Sequence, residues 1–585
     1  MESVDVTVIG AGWSGLAALK TYHQVHPSAS ILLLESASSV GGVWAKHRLY
    51  SGLKSNNMRG TYEFSDFPMD DSFGVQEGEH IPGSVIQQYM EKFLEHFDLT
   101  QYLRLNTKVR IADRNDDDTW TLSISSPAGD STIHSKKLIV CTGITSQPFL
   151  PSFTGEEAFN APLFHCRDLL QYQDALLQPG KRITVFGVTK SAWDAVYAAA
   201  TAGAHVDWVI RENGHGPCWM APPYVTPLKK WLEKLVTTRF LTFFSPCIWG
   251  DADTNTGPRG FLHNTWVGRK VVDSFWSVLA NDVIQLNSYD AHPETAKLKP
   301  WISPFWIASG LSILNYPTNF FDLVKDGKVR IHIDQISHLS DHNVHLASAS
   351  DTPLGSDALI CATGWQATPN IEFRPASLDT TLGFPWAPDS LPEELTKAAD
   401  TEILRRFPRL VDQPTPANPS PYAPLTDNAP ATARHPFRLA RFMVPPGLAS
   451  SRSIAFMGIT MTINTTMVAQ AQALWIAAYF GEKLTPTPRE TCPDGVKAAL
   501  SNTDESTDVD LLWETALHSQ FGVHRYPGGF GKRNPDFVFD ALPYIDMLLT
   551  DLGLDIRRKG AMKWFEPYGM EDYRGLVDEY LAKSP

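Results

Sequence analysis

The chain is poor in cysteine and has no close pair: six in 585 residues, the nearest two, Cys141 and Cys166, standing 25 positions apart. That spacing excludes a dithiol redox centre and a structural zinc site as the organising chemistry. Basic charge is also short. Fifty lysines and arginines against 64 aspartates and glutamates leave a formal net charge of -14, whereas nucleic acids and anionic membranes reward the opposite balance. Neither partner is expected, and an anionic cofactor needs a local cationic pocket. Long apolar runs are absent as well: no uncharged stretch is long enough to span a bilayer, and the N-terminus enters a strand pattern at once, Val4 to Ile9, without a basic leader. A cytoplasmic location with reduced thiols follows as the expectation. Cys141 and Cys361 close apolar runs and read as buried, inert thiols.

What is present is material for a large core, 43% hydrophobic residues in a length that favours more than one domain. "VDVTVIG", "AGWSGLAALKTYHQ" and "ILLLES" read as strand, helix and strand, and "KRITVFG", "SAWDAVYAAATAG" and "VDWVIR" repeat the order. Eight of the 17 tryptophans lie from Trp208 to Trp306, which predicts a helical insertion. "KVRIHI" and "NVHLAS" read as a hairpin, 408–436 as a proline-rich irregular loop, and "ALPYIDMLLTDLGL" and "EDYRGLVDEYL" as helices. The predicted fold class is α/β, two dinucleotide-binding, Rossmann-like domains with a helical insertion and a helical C-terminal extension. The expected boundaries are 1–175 for the first part of one domain, 176–335 for the second domain with its insertion, 336–480 for the return of the first, and 481–585 for the extension. His338, His342 and His345 read as a solvated hairpin turn rather than a metal site. "PLKKWLEKLVTTRFLTFF" reads as a helix capping a substrate channel rather than lying on a membrane.

In "VIGAGWSGLAA", Gly10, Gly12 and Gly15 follow a strand and open a helix. The three glycines serve, in turn, the tight turn, the close approach of backbone to a pyrophosphate, and the close packing of helix on strand. The pyrophosphate then lies at the helix N-terminus, where free amides and the dipole favour anions. Glu35, twenty residues beyond Gly15, is placed to accept hydrogen bonds from a ribose, which suits FAD or NAD and repels a 2'-phosphate.

Several stretches together carry a resemblance: "GAGWSG", "GGVW" with Gly41, Gly42 and Trp44, "LKSNNMRGTYEFSDFP", "KSAWDA" and "CATGW". They resemble the class B flavin monooxygenases, and most of all a fungal, FMO-like branch serving secondary metabolism. The resemblance implies FAD at the first turn, with Gly41, Gly42 and Trp44 along it and Val109 added to the cofactor-binding set. It also implies a flavin C4a-hydroperoxide, protected by an asparagine that falls on Asn56, with Asn57 beside it. A degraded FxGxxxH signature, "FNAPLFHCRDLL", gives Phe159 and His165 but Ala161 for the glycine; the resemblance implies a histidine that couples domain motion to nucleotide binding, whereas the bare residue reads as a packed structural histidine. "CTGITSQP" and "CATGWQATP" resemble the two crossovers between domains. "FMGITMTINTTMVAQAQALW" resembles the stretch passing the flavin ring, with Gly458, Thr460 and Asn464 near it and Gln470 and Gln472 on the next helix.

The second turn is "FGVTKSAWDA": Gly187 follows a strand, Thr189 takes the middle glycine position, and Ser191 and Ala192 open a helix. Lys190 adds positive charge, and Arg211 ends the next strand where the first unit has its acid, a placement that fits the 2'-phosphate of NADPH. The expected activity is therefore FAD- and NADPH-dependent insertion of one atom of O2 into a small organic substrate, by N-, S- or C-oxygenation or hydroxylation. A Baeyer–Villiger reaction is the alternative, with a non-oxygenating FAD-dependent oxidoreductase behind it.

Overall fold

A computed structural model describes residues 2–225, 229–307, 310–348, 352–414, 420–500, 508–560 and 563–583. Two sheets organise the chain. The first has eight strands, in the order 372–374, 108–114, 120–126, 129–140, 2–9, 31–34 and 103–104, with 454–456 also paired to 129–140. Its centre is parallel: Val6 to Ile9 lie beside Ile31 to Leu34 on one side and Lys137 to Val140 on the other. Strand 31–34 and the inner half of 2–9 are buried throughout because helices cover them; Trp13–Val25 and the almost wholly buried Thr465–Phe480 pack together there.

The second sheet is parallel throughout, in the order 163–165, 358–361, 182–186, 205–210 and 329–333. It moves the expected boundaries. Leu163–His165 belongs to the second unit, not to a first part ending at 175, and Ala358–Cys361 belongs there too, although the return was expected from 336. The crossovers lie between the sheets and are paired to each other, Gln147 with Gln366 and Pro148 with Trp365. "KVRIHI" is no hairpin strand, since Val329–Ile333 completes the parallel sheet while Ile336–Ser340 pairs with Asn343–Leu346. A strand pattern gives burial but not the partner.

The helical insertion forms, with Trp266–Asn287 its longest helix. "PLKKWLEKLVTTRFLTFF" folds, in its described part, as two short helices, Leu232–Val236 and Arg239–Thr242. The insertion and the C-terminal helices Val509–Arg525 and Ala541–Asp551 share a core with the first unit. Buried charge pins them together: Arg239 donates to both carboxylate oxygens of Asp546 at 2.6 and 3.0 Å. Removing one partner of such a buried pair costs about 3–5 kcal/mol, because it strands the other charge. Among the described residues no helix is long and apolar enough to cross a membrane, and the six cysteines are free and buried.

Candidate functional site

At the first turn, Gly10 has φ +104°, and a β-carbon on it would stand 2.5 Å from the carbonyl oxygen of Cys141. The helix that follows has Gly12 as its N-cap, without a side-chain capping bond and without an acid in its first turn. Its first amides are therefore open to an anion. Glu35 accepts from the amides of Ala11 and Ala37, each at 2.8 Å, and from Ser36 Oγ at 3.3 Å, which leaves acceptor capacity on the carboxylate for a sugar hydroxyl. Gly41, Gly42, Trp44 and Val109 line the same space, and Trp44 Nε1 donates to Tyr62 at 3.3 Å. This cradle fits a dinucleotide.

The space is a single cleft of about 1100 Å³ that continues to the second turn. There Thr189 is the N-cap of Lys190–Thr201, again without a capping bond from its side chain or an acid in the first turn. Thr189, Lys190 and Ser191 line the cleft, as does His165 at the end of its strand. Burial pushes the imidazole of His165 down to about 4, so it is neutral at working pH; its Nδ1 accepts from the amide of Arg167 at 3.2 Å, and the ring stands edge-on to Trp365.

Three expected contributions differ. Lys190 spends its ammonium on Asp194 and on Asn315 Oδ1 at 3.0 Å, which neutralises the charge assigned to a phosphate. Arg211 directly follows its strand, which ends at Ile210, but its Nη1 donates to Asn213 Oδ1 at 3.1 Å and to the carbonyl of Ala423 at 3.0 Å, and it is outside the cleft lining, as is Gly187. The proline-rich segment covers Arg211 and competes for it. In the stretch likened to the one passing the flavin ring, Gly458 and Thr460 line the cleft and Asn464 does not; Gln470 and Gln472 stand on the next helix as expected, bonded to Ser65 and Tyr544.

Asn56 and Asn57 both line the cleft that the two turns share. Asn56 Nδ2 donates to Ser312 Oγ at 3.0 Å, leaving it one further N–H. Asn57 Nδ2 donates to Glu233 at 2.5 Å and to the carbonyl of Ile463 at 2.9 Å. Sequence reasoning missed Glu233, Ser312 and Arg48. Arg48 stands four residues after Trp44, donates to the carbonyl of Thr145 at 3.1 Å and lies over the Trp365 ring; burial pushes it down to about 10, and it faces the cleft. From the C-terminal extension come Phe530, Arg533, Asn534 and Val538, held there because Met461 exchanges backbone hydrogen bonds with Pro535 and Phe537.

Two glycine turns opening on one cleft, each following a parallel strand of its own sheet, define a two-dinucleotide-binding flavoprotein architecture. The model of the flavin-binding monooxygenase-like family matches residues 3–245. The chain is 33% identical to the FAD-dependent monooxygenase rstn6 of Aspergillus nomiae, over 99% of this chain and 98% of that one. It is 32% identical to the FAD-dependent monooxygenase resA of Aspergillus sclerotiorum, again over 99% and 98%. A cyclohexanone monooxygenase of Rhodococcus sp. Phi1, solved bound to NADP+, shares the fold, with TM-score 0.55 over 100% of this chain and 98% of that one at 16% identity. The protein belongs to the family of flavin-binding, FAD-dependent monooxygenases.

Proposed function

We propose that the protein uses NADPH and FAD to transfer one atom of O2 to a nucleophilic nitrogen, sulfur or electron-rich carbon of a small organic molecule, a secondary metabolite. The observation that carries this is the cleft itself, which joins both glycine turns and is lined by Asn56 and Asn57. Bound FAD would supply the hydride acceptor and, once reduced, the electron pair for O2. The protein's part is to bind, orient and keep water out. The open helix amides at Gly12 and Thr189 hold the two pyrophosphates, and Glu35 takes the ribose of FAD. Asn56 keeps one amide hydrogen for the reacting oxygen, which an amide donates to without protonating. Trp44 and Trp365 wall the space, and the extension closes it at Phe530.

The balance is NADPH, a proton, O2 and substrate in, and NADP+, water and oxygenated substrate out. The test is spectroscopic and chemical: purified protein is expected to be yellow, to bleach anaerobically with NADPH, and to yield a product heavier by one oxygen. Protein without flavin, or NADPH consumption giving only hydrogen peroxide with every candidate substrate, overturns the reading. Esters or lactones formed from ketones would move it to Baeyer–Villiger chemistry.

A further inference from the structure

We propose that Glu233, on the tryptophan-rich insertion, is a positioning residue that fixes the amide of Asn57 and makes Asn57 a hydrogen-bond acceptor toward the cleft; this rests on the monooxygenase reading above. Glu233 is 1% exposed. Its carboxylate receives four hydrogen bonds: from Asn57 Nδ2 at 2.5 Å, Thr61 Oγ1 at 2.6 Å, Trp231 Nε1 at 2.8 Å and the amide of Met58 at 3.0 Å. All four partners are donors, so the carboxylate oxygens act as acceptors toward each of them. Asn57 must therefore turn its NH2 edge to Glu233, and its second hydrogen goes to the carbonyl of Ile463 at 2.9 Å. Both donors are spent, and Oδ1 is the polar atom left for the cleft.

Asn56 gives one hydrogen to Ser312 and keeps one, so it still offers the cleft a donor where Asn57 offers only an acceptor. Ser312 and Glu233 both come from the chain between the fourth and fifth strands of the second sheet, which carries the insertion. Ile463 lines the cleft in the stretch that resembles the one passing the flavin ring. The insertion thus sets the polarity of a wall whose residues lie in the first unit. Burying a carboxylate among neutral donors has a large desolvation cost, and four aligned donors offset it only while all four point inward.

The test compares Glu233→Gln, Asn57→Ala and the double variant. A glutamine offers one acceptor oxygen and a donating NH2 where four donors converge, so the Asn57 amide is expected to leave its place. The first readout is a crystal structure of Glu233→Gln: Asn57 is expected to have lost its bond to the carbonyl of Ile463, and an unmoved Asn57 overturns the proposal. The second is hydrogen peroxide release by the FAD-loaded protein with O2 and no organic substrate, after reduction with dithionite, so that failure of NADPH to reduce the flavin does not affect it. Both single variants are expected to release peroxide ~10-fold faster than the parent, the size of one buried hydrogen bond, and the double variant no faster than Asn57→Ala. Parent-like release from Glu233→Gln beside fast release from Asn57→Ala overturns the proposal, and so does a double variant whose effect multiplies those of the singles. If Glu233→Gln does not hold FAD, Glu233→Asp, which keeps the charge and withdraws it by one methylene, is expected to show the same acceleration in weaker form; parent-like release from it counts against the proposal.

Discussion

Gly187 leaves no space for a side chain against the carbonyl of Ala362: a β-carbon on it would stand 2.3 Å from that oxygen, with φ at +122°. Gly10 stands in the same relation to Cys141, at 2.5 Å. In both units the first glycine lets the crossover that follows a neighbouring strand run directly beneath the turn. Gly187→Ala therefore strains the second turn alone, by about 1–3 kcal/mol for the backbone conformation before any clash is counted. We expect full FAD content and a KM for NADPH raised ~10-fold or more, whereas Gly10→Ala loses FAD first. Flavin stoichiometry and steady-state kinetics check both; loss of FAD from Gly187→Ala with unchanged KM would contradict the assignment of the second turn.

Arg211 and Arg48 exchange importance. The guanidinium of Arg211 is committed to Asn213 and Ala423, while that of Arg48 lies over Trp365 on the cleft with one carbonyl partner. We expect Arg211→Ala to change the preference for NADPH over NADH by less than ~3-fold and to lower Tm. Arg48→Ala is expected to raise the KM for NADPH ~10-fold, the worth of one charge-assisted hydrogen bond. A collapse of NADPH preference in Arg211→Ala would mean that the proline-rich segment releases it when nucleotide binds.

How far the sequence carried depended on distance along the chain. The glycine turns, the helices they open and Glu35 were legible because strand, turn, helix and acid are local and periodic. Asn56 and Asn57 were reached through their neighbours in the motif. The residues that orient them were not, because Ser312 and Glu233 meet them from 256 and 176 positions away, and a lone glutamate in "KKWLEKL" carries no pattern. Arg211, next after a strand that ends at Ile210, was matched to a 2'-phosphate without sight of Ala423, which lies 212 positions on in a segment without helical or strand period. Val329–Ile333 was recognised as a strand and given the wrong neighbour, because alternation reports which face is buried and not which edge is paired.

His518 gives a stability prediction. Its ring is 5% exposed, parallel to Phe442 at 5.9 Å and edge-on to Trp249, with no hydrogen-bond partner on Nδ1. Burial pushes it down to about 3, with Arg441 and Arg489 adding to the shift and Glu490 and Asp551 opposing it. The folded value lies below the ordinary 6.5, so the stabilisation is complete above pH 6.5 and is lost as pH falls toward 3, because the unfolded chain takes up the proton first. At pH 5 the loss amounts to about 2 kcal/mol. His518→Phe keeps the stacking and removes the site of protonation. The apparent Tm of the variant minus that of the parent, at one scan rate, is expected to rise by about 1–2 °C from pH 7.5 to pH 5; a difference independent of pH would show that His518 is protonated in the folded state.

Thr189 occupies the place of a glycine without needing one for its backbone, since φ is -80° and ψ 177°. Only space or chemistry can explain a side chain there. It makes no capping bond to its own helix, although threonine is a good N-cap, and it lines the cleft. A hydroxyl withheld from the cap is one left for a ligand oxygen. Thr189→Val keeps the shape and removes that donor, and is expected to raise the KM for NADPH ~3- to 10-fold, with FAD content unchanged. Thr189→Gly is expected to weaken binding as well, because it removes the same hydroxyl. Tighter binding by the glycine variant would instead identify the threonine as a steric compromise, and the order of the three KM values, parent, Val and Gly, decides between the two.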